Sequence, residues 1–471
     1  MGKENKIVHI LRYGTAADKA HLETAMSAFD YLSINGNSAA YVSNAIAKFI
    51  VAKFFSNKDK GFFIDPITYA FQDKIDLLFS KSSKANNSVI KKSFSKLIDI
   101  YGLQHEKIEK SIPLLPEDFC NTLKKNEFVE KVLAFQYNLV HDHVCKQHLQ
   151  KYFDYVGAVN SSKLPQLHPK FLIAPYFFMD NNSSLWEKWL ELNIDFTNKS
   201  VELARKQFNN IPVFAQIVIS KSFFYEPSSF LKIINAYSEL QCSGYTIWID
   251  DFNEYDSSRE ELSAFMSLLK SLQPKPVYNM YGGYFSILLT HKSLSLLAGV
   301  SHGLEYGESR MVYPVGGGIP VSKYYYLPLH KRLDFTKAFY LLDYADVIDT
   351  KENNWGSSDL YYEQICKCEQ CKKVIGKEMI NFVEFESRDF YEFRRNDRIM
   401  RRKKASYETK QNCLYHYLLC KKIEFLRVKK KKLQELIDDL CQCGKFYSKC
   451  ESIASNELDY MFVWSDLCLN N

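Results

Sequence analysis

Long apolar runs are missing from this chain: no stretch approaches the roughly 18 consecutive apolar residues that a membrane-spanning helix needs. The start, MGKENKIVHI, also lacks the charged-then-apolar layout of a secretory leader. These two absences speak against a membrane or secreted protein and make the cytoplasm, with reduced thiols, the expected compartment. There is no internal repeat and no long low-complexity segment beyond the lysine run Lys429 to Lys432, which excludes a repeat array. What remains is 471 residues, 46% apolar and 25% charged, enough for one large domain with a sizeable core and a smaller addition.

Nine of the twelve cysteines fall after residue 365, and three of them form the run Cys366, Cys368 and Cys371. In a reducing compartment clustered cysteines point to metal, whereas the scattered Cys120, Cys145 and Cys242 read as small hydrophobes. A C-x-C-x-x-C loop gathers three soft thiolates and suits a structural, tetrahedral Zn²⁺. The fourth ligand is open among Cys413, His416 and Cys420, which share one face of a helix-like segment. Cys441, Cys443 and Cys450 lack an evident fourth partner for a second site.

Charge is distributed unevenly. Between Arg394 and Lys432 stand fifteen Lys or Arg against Asp397, Glu408 and Glu424, a net +12, so the rest of the chain is acidic by −6. Arg401, Arg402, Lys403, Lys404, Lys429 and Lys430, interleaved with tyrosines, are candidates for a phosphate-binding face; a solvated helix face would look the same.

Apolar or β-branched runs alternate with helix-like stretches through the first 350 residues, the pattern of an α/β fold. Strands are predicted at Ile7 to Leu11, Tyr31 to Ile34, Phe62 to Ile64, Phe171 to Phe177, Val213 to Ile219, Tyr245 to Ile249, Val277 to Tyr281, Ala298 to His302, Met311 to Val315 and Asp346 to Ile348. Polar or glycine-rich residues follow them: Asn35, Asp65, Asp250 with Asp251, Gly282 with Gly283, His302, Gly316 to Gly318, and Asp349. A (β/α)₈ TIM-like barrel opens all such positions on one face, and an open doubly wound sheet would also gather them. The expected organisation is a barrel over residues 1–365 with a helical insertion at about 71–167, then a zinc-binding, basic helical appendage over 366–471.

Asp65, held between Ile64 and Pro66, is a candidate general base or a plain turn aspartate. Asp250 and Asp251 are adjacent, so only one of them can enter a shared pocket from an extended strand. The loop from Gly299 to Arg310 concentrates His302, a candidate proton shuttle, with Glu305 and Glu308 among three glycines. Gly316, Gly317 and Gly318 could present backbone N–H groups to a phosphate or a ring edge. Asp349, the later acid of Asp346-Val-Ile-Asp349, is the candidate carboxylate nucleophile for a sugar C–N substitution.

These pieces in this order resemble the tRNA-guanine transglycosylase superfamily. Asp346-Val-Ile-Asp349 is similar to that family's nucleophile motif, Cys366, Cys368 and Cys371 to its zinc run, and Ile64-Asp65 through Phe71-Gln72 to its strand-end segment carrying the base. The resemblance implies a zinc-bearing TIM barrel that exchanges a guanine for a 7-deazaguanine in nucleic acid. Asn412-Cys413-Leu414 departs from the family's histidine-asparagine-leucine helix start, which moves the zinc ligand to Cys413 or His416. Gln216 stands displaced from the base-reading glutamine, and Ala174-Pro175-Tyr176 offers no acid where the family has one.

The expectation is therefore a base-exchanging, pentosyl-transferring enzyme with a small-molecule base and a nucleic acid, tRNA or DNA, as partners; a homodimer or a protein partner is compatible. Asp349 would be nucleophile, Asp65 the base, and His302 with the glycine loops the pocket. Two alternatives stand beside it: a barrel enzyme on a small phosphorylated or nucleotide-like ligand, and a non-catalytic nucleic-acid-binding protein on a degenerate barrel.

Overall fold

The computed structural model of the chain describes residues 7–14, 26–54, 59–81, 88–144, 168–304, 307–313, 322–351, 355–395, 398–454 and 456–470. Glu305 and Gly316, Gly317 and Gly318 lie outside them. Eight strands build one parallel sheet: β1 (Val8–Arg12), β2 (Tyr31–Asn35), β3 (Gly61–Asp65), β4 (Leu172–Ile173), β5 (Val213–Ser220), β6 (Gly244–Asp250), β7 (Val277–Asn279) and β8 (Gly299–His302). Because β8 pairs with β1, the sheet curls on itself in the order β3-β2-β1-β8-β7-β6-β5-β4. The two ends nearly meet: just before β4, Lys170 N donates to Phe62 O at 2.8 Å, and Phe63 stacks on Phe171 at 4.5 Å. Helices α1 (Ser43–Phe54), α2 (Thr122–Val144), α3 (Trp186–Gln207), α4 (Pro227–Ser238), α5 (Arg259–Ser271) and α6 (Tyr284–Leu288) follow the strands.

Side chains alternate faces along a strand, so β1 sends Val8, Ile10 and Arg12 one way and His9 and Leu11 the other. The first set faces the lumen, whose floor is a ring of aromatics: Phe171 stacks on Phe214 at 4.1 Å, and Phe214 on Tyr278 at 5.5 Å. Gly244 is required there, since a Cβ at that position would stand 2.5 Å from the Phe214 ring. Above the floor Thr246 Oγ1 donates to Gln216 Oε1, so the glutamine singled out in the sequence is buried and spoken for inside the lumen.

The predicted strand Phe171 to Phe177 pairs only at Leu172–Ile173. Side chains replace the ladder beyond it. Gln136 of α2 bonds both the N–H (2.9 Å) and the C=O (2.8 Å) of Ile173, Asn193 of α3 does the same for Phe177 (2.8 and 2.9 Å), and Gln72 for Phe178 (2.9 Å each). Buried backbone groups must be paired, and here amides supply what a neighbouring strand would. Between β3 and β4 the chain forms a short hairpin (Phe79–Lys81 with Ser88–Ile90) and helices that include α2.

Among the described residues, two other predicted strands do not appear. Val312 and Tyr313 lie in a loop, and the remainder of Met311 to Val315 includes undescribed residues. Asp346 to Ile348 forms the turn after α7 (Phe335–Tyr344), with Asp346 left-handed at φ 55°. Asp346 N bonds Asp343 O (3.0 Å), Val347 N bonds Leu342 O (2.9 Å), and Val347 and Ile348 are buried. The β-branched pair that reads as a strand is the apolar tail of a helix C-cap.

After β8 come the hairpin β9 (Tyr324–Tyr326) and β10 (Lys331–Leu333), α7, α8 (Glu369–Ile375), the hairpin β11 (Asp389–Arg395) and β12 (Arg398–Lys404), α9 (Tyr407–Lys430), α10 (Leu433–Tyr447) and α11 (Asp459–Leu469). The C-terminal part is more than an appendage, because α9 covers the outer face of β1 and β8: Phe425 stacks on His9 at 4.4 Å and Tyr417 meets His302 edge-on at 5.4 Å.

Candidate functional site

The carboxyl ends of the strands form a polar mouth. Asp65, the last residue of β3, is buried; its Oδ1 accepts from Tyr176 Oη at 2.5 Å and from Ile67 N at 3.1 Å. Burial raises its pKa above the usual carboxylate range, against the opposing pull of Tyr176, Ile67 N, Arg12 and Arg310. Arg12, the last residue of β1, lays its guanidinium 3.7 Å over the Tyr281 ring, and Arg310 Nη1 donates to Tyr281 Oη at 3.2 Å. Burial, then the neighbouring Arg310, lowers the Arg12 pKa to about 9, which still leaves it charged at neutral pH. Aromatic rings connect these groups: Tyr69 stacks on Tyr176 at 5.8 Å and meets Trp248 edge-on at 5.3 Å, and Trp248 lies 4.6 Å from Tyr281. Burial pushes Tyr69 up to about 12, so it remains a neutral donor.

Asp250, at the end of β6, is half-buried and its Oδ1 accepts from Val312 N; burial raises its pKa. Asp251 diverges from it in a left-handed conformation (φ 53°), exposed and 3.5 Å from Lys221 Nζ. Asn35 ends β2 in register with Asp65. Gly282 and Gly283 follow β7, and a Cβ on Gly283 would stand 2.8 Å from Glu254 Oε2 and 3.3 Å from Glu308 Oε2.

Two sequence-predicted catalytic residues are not at the mouth. Asp349 is exposed in the turn after α7, where its Oδ1 accepts from Lys351 N at 2.9 Å, and none of its bonds reaches a mouth residue. Without a strand, no strand end exists there to aim it. His302 is in register with Leu11, on the face that points away from the lumen. It bonds His9 across an Nε2–Nε2 distance of 3.1 Å beneath α9. Burial lowers both rings, His9 to about 3, so the pair is neutral and packed as core. Arg12 and the Tyr69–Tyr176–Trp248–Tyr281 wall were missed. The available signal was Arg12 itself, a cation ending the otherwise largely apolar strand Val8–Arg12 as Asp65 ends β3.

A second site joins α8 to α9. Cys366, Cys368, Cys371 and His416 are all buried, with one ligand atom from each within 4.8 Å of the others. His416 Nδ1 lies 3.1 Å from Cys371 Sγ and 3.4 Å from Cys368 Sγ, while Nε2 bonds Tyr325 O at 2.8 Å. That backbone bond holds the proton on Nε2 and leaves Nδ1 free as a ligand. The four residues can therefore hold a metal ion. Cys413 does not contribute, because its Sγ turns away to Phe385 O at 3.5 Å; Cys420 is an outer neighbour 3.7 Å from Cys366. Among the described residues, Cys441, Cys443 and Cys450 form no second such group.

The basic stretch does not form one face. Arg401 is exposed over the Phe390 ring (4.5 Å), Lys403 lies 3.7 Å from Glu386, Lys404 is exposed, and Arg402 pairs in the hairpin opposite Tyr391. Lys403 and Lys410 border a cleft of about 690 Å³ shared with Tyr255, Glu308, Lys323, Lys331, Arg332 and Tyr417. Lys429 lies at the other end of α9, beside the residues that begin β7 and β8, and Lys430 follows it, exposed. A 24-residue helix spans roughly 36 Å, which separates its two basic ends. Lys421, between them, is buried against Glu308 (2.5 Å), Glu424 (2.9 Å) and Tyr325 Oη (2.8 Å).

Fold and site together define a mixed α/β protein with a nearly closed parallel sheet, a polar aromatic mouth and a Cys₃His cluster able to hold a metal. No protein-family model matches the chain, and no curated protein matches it. No helix among the described residues is long and apolar enough to cross a membrane.

Proposed function

We propose that the nearly closed sheet is a (β/α)₈ barrel of transglycosylase type, exchanging or modifying a purine-like base in nucleic acid. The observation that carries this reading is the mouth: a buried carboxylate of raised pKa, Asp65, inside a wall of four aromatic rings. Aromatic faces stack on a flat heterocycle, and a carboxylate whose pKa burial raises is a stronger proton acceptor toward a ring N–H. Asp65 is the acid–base group in this reading, and Asp250 is the second carboxylate at the rim. Asp349 has no part in it. The Cys₃His cluster holds Zn²⁺ as a structural ion, since three thiolates with one imidazole are a closed ligand set with no position for substrate. The cleft bordered by Lys323, Lys331, Arg332, Lys403 and Lys410 receives the phosphate backbone.

Incorporation of labelled guanine or 7-deazaguanine into tRNA and into duplex DNA tests the proposal. Asp65→Asn should lower the rate by about a thousandfold and Asp349→Asn by less than about twofold. A wild-type protein that incorporates no base into either polymer, or an Asp65→Asn protein of normal rate, overturns it.

A further inference from the structure

Three polar side chains on the lumen face of adjoining strands have unused hydrogen-bonding atoms. Arg12 Nε and Nη1, Ser33 Oγ and Ser301 Oγ are buried with no partner. Arg12 is 9% exposed, Ser33 1% and Ser301 0%. Register places them together: Ser33 of β2 stands directly opposite Arg12, and Ser301 of β8 opposite Ile10, the residue one lumen position below Arg12. Tyr281 holds the guanidinium from one side. Gly303, next along the lumen face after Ser301, leaves the room it needs, since a Cβ there would come within 3.1 Å of Arg12 Nη2.

Unpaired buried donors are costly, and an unpaired buried cation more so. Asp65 attracts the guanidinium through its field but bonds neither Nε nor Nη1; its Oδ1 is engaged by Tyr176 and Ile67, and a second guanidinium, Arg310, shares the mouth. We propose that Arg12, with Ser33 beside it and Ser301 one lumen position below, is the seat for an anionic oxygen group, carboxylate or phosphate, carried by the ligand of the mouth. Guanidinium N–H groups and serine hydroxyls are the donors such an oxyanion takes, and a cationic substituent is repelled at the same spot. The ring of the ligand rests on the base-exchange reading above; the anion seat does not.

The test is calorimetric titration of the wild-type protein, Arg12→Met and the double variant Ser33→Ala/Ser301→Ala. The probes are inorganic phosphate and two matched pairs: guanosine 5′-monophosphate against guanosine, and 7-carboxy-7-deazaguanine against 7-aminomethyl-7-deazaguanine. The anionic member of one pair should bind wild type at least about tenfold more tightly, with the preference gone in Arg12→Met and reduced in the serine variant. The pair that discriminates tells phosphate from ring carboxylate. Bases that bind alike whatever their charge, or a preference that survives Arg12→Met, overturn the seat and leave the heterocycle reading standing. Arg12-dependent binding of phosphate without binding of any base upholds the seat and removes the heterocycle. The serine variant keeps the test open should Arg12→Met fail to fold.

Discussion

Two buried cations, one in the mouth of the curled sheet and one under the C-terminal helices, have opposite surroundings. Lys421 is fully buried between Glu308 and Glu424, and Glu424 in turn bonds His330 Nδ1 and Tyr325 Oη at 2.6 Å each. Burial pushes the Lys421 ammonium down, but Glu308 and Glu424 outweigh it and the net shift is upward. Arg12 has no such cage, and its shift is downward. A buried charge with every bond filled ties parts of a structure together; one with bonds left over is reserved for something the chain does not supply. By that contrast the α9 region is built as a clamp, and the mouth is where the proposed site lies.

The Cys₃His cluster, which joins α8 to α9, is the part of the clamp where the largest effect is expected. Loss of one ligand in Cys371→Ser, or removal of metal with a chelator, should detach α8 from α9 at a cost of at least several kcal/mol, read as a fall in bound-metal content together with the thermal midpoint. Unchanged stability after complete metal loss would show that the arm is held by packing alone.

Next in size, Lys421→Met leaves Glu308 and Glu424 without their counter-charge and should cost about 3–5 kcal/mol in urea denaturation. Arg12→Met removes a guanidinium whose Nε and Nη1 are unbonded and which is held by the Tyr281 ring and the field of Asp65; it should cost less than about 1 kcal/mol in the ligand-free protein. Equal losses in the two variants would break the contrast between clamp and site.

The His9–His302 pair gives the clamp a pH dependence. His9 is lowered from 6.5 to about 3 by burial first, so its folded state is the neutral one. The stability this provides is complete above about pH 6.5 and is lost as pH falls toward 3, because the unfolded chain takes up the proton first. For one histidine the loss amounts to about 3 kcal/mol between pH 6.5 and 4. His9→Gln should flatten that part of a stability-against-pH curve; a curve unchanged by the substitution removes His9 as its source.

The smallest effect belongs to the exposed hairpin. Charge reversal at Arg401, Lys403 and Lys404 should leave folding within about 0.5 kcal/mol of wild type while weakening binding to a short duplex and reducing its salt slope by up to about three. Reversal at Lys429 and Lys430, at the far end of α9, should do neither. If the two reversals weaken binding equally, the basic stretch acts as one face after all.

Much of the nearly closed parallel sheet was legible because buried parallel strands read as apolar runs ended by polar or glycine residues, as Gly61–Asp65 and Gly244–Asp250 do. The misreadings have local causes. Val347 and Ile348 look like a strand because β-branched residues serve a helix C-cap as well as a ladder. Phe171 to Phe177 looks like a full strand because nothing near it announces that Gln72, Gln136 and Asn193 will bond its backbone. The cysteine run was plain from spacing, but the choice of His416 over Cys413 turned on which side of α9 meets α8.

The alternation of strands and helices, the position of Asp65 at a strand end and the three thiols of the Cys₃His cluster can be read from the chain alone, because each depends on residues close together in it. Packing in three dimensions was needed to show that Arg12 faces the lumen, that His302 faces α9, that Asp349 lies in a turn and not at a strand end, and that the basic residues of α9 divide between its two ends. Alternation along a strand defines two faces but not which of them is inside. That is settled when the sheet curls, β8 meets β1, and α9 covers the outer side.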